Sequence, residues 1–315
     1  MKKVDIQSAA RLLRNGEVVA IPTETVYGLG GWINSHGGLE KIFATKERPF
    51  FDPLIVHVAD VKAARALSSD WTKIHQILAE NCWPGPLTLV AEKAPAIDPL
   101  ITSGLTSVGL RCPDHPLTLE LLRELEGGVA APSANKFGKT SPTTAAHVFE
   151  EFGEAVAILD GGPCRVGIES TVAGVKGDTI EIYRPGYYTA AMLKEILQKN
   201  GIDAKVTYTE SPVAPGQLKH HYMPRIPLII AGEDFQWERD KDKIQRALGK
   251  NFSRPVIWEQ PEKVEIASRG LYESLRKFDQ EGFDLIVTKR HLRHETEDWR
   301  GIWNRLEKAK SLSLL

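Results

Sequence analysis

The sequence predicts an α/β protein with two domains: a mixed, twisted sheet with flanking helices, and a small C-terminal Rossmann-like α/β domain. Strand and helix patterns alternate over the first two hundred residues and, more briefly, again near the C-terminus. Between these regions lie four prolines, Pro212, Pro215, Pro224 and Pro227. We therefore predict a first domain over residues 1–205, a linker over 206–227 and a second domain over 228–315.

The first domain begins with a predicted helix that Asp5 caps, followed by a buried strand from Val18 to Ile21 that Pro22 ends. Further strands are predicted at 54–58, 87–91, 108–111, 129–131, 156–159, 171–175 and 180–183. Helices are predicted at 39–45, 72–80, 117–125, 145–152 and 190–199. The last two strands are too close together for a helical crossover, so they should form a hairpin and make the sheet mixed.

The second domain shows a shorter alternation that is typical of a small parallel sheet. Strands are predicted at 228–231, 255–258 and 285–288, and helices at 240–248, 271–280 and 299–309.

Composition limits the class of protein. The 315 residues are 42% hydrophobic and 26% charged, with a formal net charge of −1. This balance is ordinary for a globular protein and lacks the basic excess typical of proteins that mainly grip nucleic acid. Three cysteines without CxxC spacing predict reduced thiols. With no apolar leader and no long apolar run, we expect a cytoplasmic protein with no membrane partner.

The loop from Ala130 to Thr143 nearly matches a phosphate-binding Walker loop. Gly138, Lys139 and Thr140 are in place, but Ser133 occupies the position of the required glycine. Two interpretations remain open: a nucleotide site built from side chains, or a solvated turn before a helix that Thr144 or a neighbour caps. Similarly, Gly28-Leu-Gly-Gly lacks the last glycine of a dinucleotide fingerprint, because that position is Ile33.

Polar residues follow many of the predicted strands, which suggests that they face one cleft. Lys46 and Arg48 precede Pro49 and are suited either to compensating a helix dipole or to clamping a polyphosphate. Arg111, at a strand end, suits a carboxylate or a surface ion pair. His57 could be a core histidine or a ligand-binding one. No histidine cluster has HExxH spacing, so we predict no metal site formed by the protein.

Several segments together resemble the YrdC-like threonylcarbamoyl-AMP synthases, in the two-domain long form. They are Gly16-Glu-Val-Val-Ala-Ile-Pro-Thr-Glu-Thr-Val-Tyr-Gly-Leu, Lys46-Glu-Arg48, Pro53-Leu-Ile-Val-His57, Trp83-Pro-Gly-Pro-Leu-Thr, Val108-Gly-Leu-Arg111, Ala131-Pro-Ser-Ala-Asn135, Ser141-Pro-Thr, Asp160-Gly-Gly, Glu169-Ser-Thr-Val, Arg184-Pro-Gly and the linker segment from Pro215-Gly to His221-Tyr222. They cover nearly the whole chain in the family's order.

The resemblance implies a YrdC-like fold and an L-threonylcarbamoyladenylate synthase, a nucleotidyltransferase that uses L-threonine, bicarbonate and ATP with Mg²⁺. Its product would serve the threonylcarbamoyladenosine modification of tRNA. Implied catalytic residues are Lys46 and Arg48. Implied threonine-binding residues are Thr25, His57, Arg111, Ala131 and Ser170. Implied ATP-binding residues are Arg48, Asp52, Ser107, Ser133, Asn135, Ser141 and Arg184. Lys139 and Thr140 are then the loop residues expected to matter least.

Three positions depart from the family's pattern. Asp52 stands where asparagine is usual, and an anion there would repel phosphates unless it helps to hold magnesium. In the linker, Lys219 replaces a common tyrosine and His220 replaces a common Lys or Arg, so the linker lacks two side chains that the family commonly places near ATP.

Possible further partners are tRNA, through double-stranded RNA binding, and the downstream threonylcarbamoyl-transferase complex. The sequence leaves two alternative functions open: an RNA-binding module without catalysis, and a carbamoyl-transfer enzyme with another acceptor.

Overall fold

The structure, a computed structural model, describes residues 1–125, 127–209 and 221–315. These residues form two compact units. One consists of Met1–Phe137 with the chain from Ser141 to Thr209, and the other of Gly138–Thr140 with residues 221–315. Lys219 and His220, singled out in the predicted linker, lie outside the described residues.

The first unit is a mixed sheet with helices. Its strands are β1 (Val19–Ile21), β2 (Gly28–Trp32), β3 (Ile55–His57), β4 (Leu87–Glu92), β5 (Ser107–Arg111), β6 (Val129–Ala130), β7 (Ala157–Ile158), β8 (Thr171–Lys176), β9 (Thr179–Arg184) and β10 (Lys205–Tyr208). Its helices are α1 (Ile6–Arg14), α2 (His36–Lys46), α3 (Val61–Ala66), α4 (Lys73–Cys82), α5 (Pro99–Thr102), α6 (Pro116–Leu125), α7 (Ala145–Phe152) and α8 (Ala190–Lys199).

The strands of this unit follow the order β10-β9-β8-β4-β5-β3-β6-β2-β1-β7. The predicted hairpin is confirmed, since β8 and β9 pair antiparallel with Lys176 opposite Thr179. Strand β10, which the sequence analysis did not predict, pairs parallel with β9 and carries the sheet to Tyr208, beyond residue 205. The sheet is therefore mixed, as predicted. Its central strands β3 and β5 lie in the core, where Val56 and Leu110 are completely buried.

Two predicted helix caps are present. The Asp5 side chain accepts a hydrogen bond from the Ser8 N–H at the start of α1, and the Thr144 side chain accepts one from the His147 N–H at the start of α7. Each cap satisfies an N–H that the first helical turn leaves unpaired.

The glycine-rich segment Gly28–Trp32 forms a strand rather than a phosphate loop. Strand β2 lies between β1 and β6. A Cβ on Gly30 would lie 2.8 Å from a methyl carbon of Val129, and one on Gly31 would lie 2.8 Å from the Cδ1 of Ile42 on α2. Glycine is therefore required here for close packing of neighbouring elements.

The second unit is a small parallel α/β sheet, as predicted. Its elements are β11 (Leu228–Ala231), α9 (Trp237–Leu248), β12 (Pro255–Trp258), α10 (Val264–Gln280), β13 (Leu285–Lys289), α11 (Arg300–Ala309) and β14 (Leu312–Leu314). The strand order is β12-β13-β11-β14, with every pair parallel. Over the described part of the chain, no helix is both long enough and apolar enough to cross a membrane.

Candidate active site

His57 and Arg111 lie side by side at the ends of two neighbouring strands. His57 is the last residue of β3 and Arg111 the last of β5, and the two strands pair parallel with these residues in register. Parallel neighbours in a sheet are about 4.8 Å apart. The structure thus brings together two of the predicted threonine-binding residues. Both are almost fully buried.

Arg111 forms a buried ion pair with Glu24, a residue that the sequence analysis did not assign to the site. The Arg111 Nη2 atom lies 2.7 Å from Glu24 Oε2, and the Arg111 Nε donates to the Gly85 carbonyl at 3.3 Å. Glu24 directly precedes Thr25, whose hydroxyl lies 2.8 Å from that of Thr23. The only signal in the sequence was its position between these two threonines.

The His57 imidazole is held in its neutral form. Burial, and secondarily the nearby positive charge of Arg111, lower the pKa of His57 to about 3. Its Nδ1 atom is buried and has no hydrogen-bond partner among the described residues. Because a buried polar atom without a partner is costly, this nitrogen is suited to meeting a polar group of a ligand.

Lys46 fastens the loop that follows β6. Its ammonium group donates to the backbone carbonyls of Ser133 and Asn135, each at 2.5 Å. Burial, with a further contribution from the charge of Arg48, lowers the pKa of Lys46 well below its usual value. The sequence analysis expected Lys46 to meet phosphates, whereas two of its donors hold the backbone that carries the Ser133 and Asn135 side chains.

Arg48 and Asp52 form a second buried ion pair. Arg48 Nη2 lies 2.9 Å from Asp52 Oδ2, and the Arg48 guanidinium also donates to the backbone carbonyls of Asp52 and Pro53 at 3.1 and 2.8 Å. The unusual aspartate therefore has a local counter-charge. The Asp52 carboxylate thus neutralises Arg48, which is assigned to ATP binding.

Ser170 and Arg184 form one connected group. Arg184 donates from Nε to the Ser170 carbonyl and from Nη2 to the Ser170 hydroxyl, both at 3.1 Å. The Ser170 hydroxyl also lies 2.7 Å from that of Thr88 on β4. One residue before Ser170, the Glu169 carboxylate accepts a 2.5 Å hydrogen bond from the Ser141 hydroxyl. Ser170, a predicted threonine-binding residue, is thus linked directly to Arg184 and, through the adjacent Glu169, to Ser141, which are two predicted ATP-binding residues. Thr88 and Glu169 were not assigned to the site from the sequence.

Ala131 and Ser107, the remaining two assigned residues, lie at different places in the sheet. The Ala131 N–H donates to the Ile55 carbonyl at 2.9 Å, so its own carbonyl is the backbone group left for a ligand. Ser107 begins β5, and four residues of extended strand place it roughly 13 Å from Arg111. Ser107, assigned to ATP, therefore lies at the end of the sheet where β3 and β5 begin, away from His57 and Arg111.

The polar residues predicted to face one cleft lie at both ends of the central strands, because β6 runs antiparallel to β3. The loop with Ser133 and Asn135 leaves the sheet at the end where β3 begins, whereas His57 lies where β3 ends. Since β3 has only three residues, its ends are roughly 7 Å apart. Two groups of side chains separated in this way suit one long ligand or two adjacent ones.

The Gly138-Lys139-Thr140 segment does not form a phosphate cradle. Within the second unit, the Met223 N–H donates to the Gly138 carbonyl at 2.8 Å, and the Thr140 hydroxyl donates to the Met223 carbonyl at 3.2 Å. These residues make protein contacts, which agrees with their low expected importance for the site.

No group of three or more His, Cys, Asp or Glu is placed to hold a metal ion in residues 1–125, 127–209 and 221–315. Cys82, Cys112 and Cys164 are free thiols, as predicted, and burial raises the pKa of each to about 12. They are inert as nucleophiles at neutral pH.

Comparison with known proteins agrees with this architecture. A family model named for Sua5, YciO and YrdC and described as "Telomere recombination" matches residues 11–186, and one described as "Threonylcarbamoyl-AMP synthase, C-terminal domain" matches residues 188–311. The chain is 37% identical to a threonylcarbamoyl-AMP synthase of Bacillus subtilis, covering 96% of this chain and 92% of that protein. It is 33% identical to the enzyme of the same name from Pyrococcus abyssi, covering 98% and 95%.

A solved structure is similar over the same extent. The crystal structure of P. abyssi Sua5 complexed with L-threonine matches with a TM-score of 0.86 and 31% identity, covering 98% of this chain and 96% of that one. The chain belongs to the Sua5/YciO/YrdC family. Within it, the second matched model makes this chain a two-domain Sua5 protein, and the resemblance noted from its motifs is confirmed.

Proposed function

We propose that this chain is an L-threonylcarbamoyladenylate synthase, a nucleotidyltransferase that forms threonylcarbamoyl-AMP and pyrophosphate from L-threonine, bicarbonate and ATP. The observation that carries the proposal is the match, over nearly the full length, to relatives named threonylcarbamoyl-AMP synthase. The buried Arg111 beside a neutral His57 supports it, because this pair suits the carboxylate and a further polar group of an amino acid.

On the threonine side, Arg111 binds the substrate carboxylate, while Thr25, His57, Ser170 and the Ala131 carbonyl orient the rest of the amino acid. The uncharged threonine amine attacks carbon dioxide and loses a proton to solvent, or attacks bicarbonate with release of water, and either route gives a carbamate. A carbamate hydrolyses readily, so the buried surroundings of Arg111 and His57 protect it from water.

On the nucleotide side, Arg48, Ser133, Asn135, Ser141 and Arg184 bind ATP, and Lys46 keeps the Ser133–Asn135 loop in place. A carbamate oxygen then attacks the α-phosphorus, and the bond to the pyrophosphate oxygen breaks. The enzyme contributes chiefly by holding the carbamate in line with the departing pyrophosphate and by offsetting negative charge with Arg48.

Magnesium enters this proposal with ATP. Asp52, the carboxylate assigned to the nucleotide region, is already paired with Arg48, and the described residues contain no group of three or more acidic, His or Cys side chains placed to hold a metal ion. Mg²⁺ would be held mainly by phosphate oxygens and water and would neutralise phosphate charge.

We further propose that the product serves tRNA modification in the cytoplasm and that the intermediate passes to a downstream threonylcarbamoyl-transferase complex. Because the net charge is −1, contact with tRNA would depend on a local basic surface rather than on the whole protein.

The test is pyrophosphate release from ATP, measured with threonine and bicarbonate supplied separately and together. The proposal requires release only when both are present. Salt-dependent RNA binding without ATP turnover would instead support the RNA-binding module. Release with a different amino acid in preference to threonine would support a carbamoyl-transfer enzyme with another acceptor.

A further inference from the structure

We propose that Glu24 is the positioning residue that sets the orientation of the Arg111 guanidinium for the carboxylate of threonine. This inference rests on the proposed function, because it takes Arg111 as the group that binds the substrate carboxylate. Glu24 would not touch the substrate; it would act through Arg111.

Glu24 is itself fixed in place at two points. Its backbone carbonyl accepts a 2.7 Å hydrogen bond from the Val166 N–H, and its Oε2 atom accepts one from the Asp114 N–H at 3.1 Å. The Glu24 side chain is 1% exposed. A carboxylate held in this way places a fixed negative charge 2.7 Å from Arg111 Nη2.

The two contacts of Arg111 decide which part of its guanidinium remains for a ligand. Nε is used by the Gly85 carbonyl, and Nη2 lies beside Glu24 Oε2. A carboxylate binds arginine with two parallel hydrogen bonds, either at the Nε side or at the end of the guanidinium. Because Nε is occupied, a substrate carboxylate has to approach the end formed by Nη1 and Nη2, whose direction the Glu24 contact sets.

Two effects of Glu24 on threonine binding oppose each other. Its negative charge repels the substrate carboxylate, and its contact with Nη2 keeps the guanidinium from moving. A displacement of about 1 Å at such a contact can reduce activity by roughly a hundredfold. Glu24→Gln removes the charge but keeps an acceptor oxygen, whereas Glu24→Ala removes both. The two variants therefore separate repulsion from positioning.

If positioning dominates, Glu24→Ala raises the KM and the calorimetric Kd for threonine at least tenfold, while Glu24→Gln stays within about threefold of the wild-type protein. The KM for ATP changes by less than about twofold in both variants. In an Arg111→Ala background, Glu24→Ala adds no further loss of threonine affinity, because the residue through which it acts is gone.

The proposal is overturned if Glu24→Ala and Glu24→Gln change the threonine affinity equally, or if Glu24→Ala binds threonine as tightly as the wild-type protein. It is also overturned if the losses of threonine affinity caused by Glu24→Ala and Arg111→Ala multiply in the double variant. A loss of kcat with an unchanged KM for threonine would also overturn it, because a positioning role requires that KM to rise. Should Glu24→Ala fail to fold, Glu24→Leu, which fills similar space without an oxygen or a charge, takes its place in the same cycle with Arg111→Ala, and independent losses there overturn the proposal. A wild-type protein that forms no product from threonine would instead refute the proposed function.

Discussion

The ammonium group of Lys46 lies 2.5 Å from the backbone carbonyl oxygen of Ser133, and the same nitrogen reaches the carbonyl of Asn135. A buried lysine thereby closes the loop whose side chains are assigned to ATP. The nucleotide half of the site depends on this lysine through the shape of the loop, in addition to any contact with phosphate.

Lys46→Met should loosen this loop. The substitution removes the lysine donor from two carbonyls, of which the Ser133 carbonyl keeps the Asn135 N–H at 3.0 Å. Loss of a hydrogen bond to a charged donor costs about 1.5–3 kcal/mol. We expect a lower thermal midpoint and a KM for ATP raised at least tenfold, with a smaller change in the KM for threonine. Lys136→Met, which alters a half-exposed lysine in the same loop, is the control and should leave both KM values unchanged. Equal effects of the two variants would contradict the role of Lys46.

The ion pair between Arg48 and Asp52 should weaken ATP binding in this chain. Asp52→Asn introduces the residue usual in the family and removes a carboxylate that competes with phosphate for Arg48. Removing one member of a buried pair also costs about 3–5 kcal/mol. We therefore expect a lower thermal midpoint without nucleotide and a several-fold lower Kd for a non-hydrolysable ATP analogue by calorimetry.

Glu47→Gln is the matched control, because Glu47 precedes Arg48 and its side chain is 74% exposed. Glu47→Gln should change neither the thermal midpoint nor the Kd for the ATP analogue. A higher Kd in Asp52→Asn would mean that the carboxylate assists nucleotide binding, and would refute the competition.

Thr88→Val should weaken threonine binding through Ser170. The change preserves the shape of the side chain and removes the hydroxyl that lies 2.7 Å from the Ser170 hydroxyl. Loss of one such hydrogen bond is worth about 1 kcal/mol, or roughly a fivefold increase in the KM for threonine. Thr88→Ser, which keeps the hydroxyl, should restore the wild-type value. If both variants behave alike, Thr88 contributes packing only.

These contacts show what the sequence could and could not predict. Short apolar segments located most strands of both units, but not β2, β10 or β14. Asp5 and Thr144 were recognised as caps because capping depends on local chemistry. Strand β2 was missed because its glycines reflect packing against Ile42 and Val129, which are distant in sequence. The direction of β6 depends on tertiary pairing, so the sequence could not predict at which end of β3 the Ser133–Asn135 loop lies.

In the site, too, the sequence predicted individual polar residues but not the partners that they meet in the fold. The motifs identified Arg111, His57 and the Ser133–Asn135 loop as polar residues at the ends of strands. The partners Glu24, Thr88 and Glu169 could not be assigned, because a buried ion pair or hydroxyl pair is defined by side chains that meet only in the folded chain. Asp52 drew notice as a departure from the family, yet only the fold shows its pairing with Arg48.

His57 should make the folded protein sensitive to acid. Its pKa is about 3 in the folded state against an ordinary value of 6.5, so the unfolded chain binds a proton that the folded one does not between these pH values. Stability is therefore lost as the pH falls from 6.5 towards 3, by roughly 5 kcal/mol over the whole range. His57→Gln should lose less stability than the wild-type protein in denaturant titrations across this window.

His36→Gln provides a control of opposite sign. The hydrogen bond to Asp98 raises the pKa of His36, so its contribution is present below pH 6.5 and disappears as the pH rises through the folded-state pKa. This variant should lose stability relative to wild type at acid pH. An acid profile of His57→Gln identical to that of the wild-type protein would contradict the neutral, buried state of His57.

The most direct test of the account is mass spectrometry of the product formed from ATP, L-threonine and carbon-13 bicarbonate, with wild-type protein and with Arg111→Ala. The account predicts threonylcarbamoyl-AMP that carries the heavy carbon, formed in step with pyrophosphate by the wild-type protein and strongly reduced in the variant. Pyrophosphate release without a labelled adenylate, or equal product from Arg111→Ala, would contradict it.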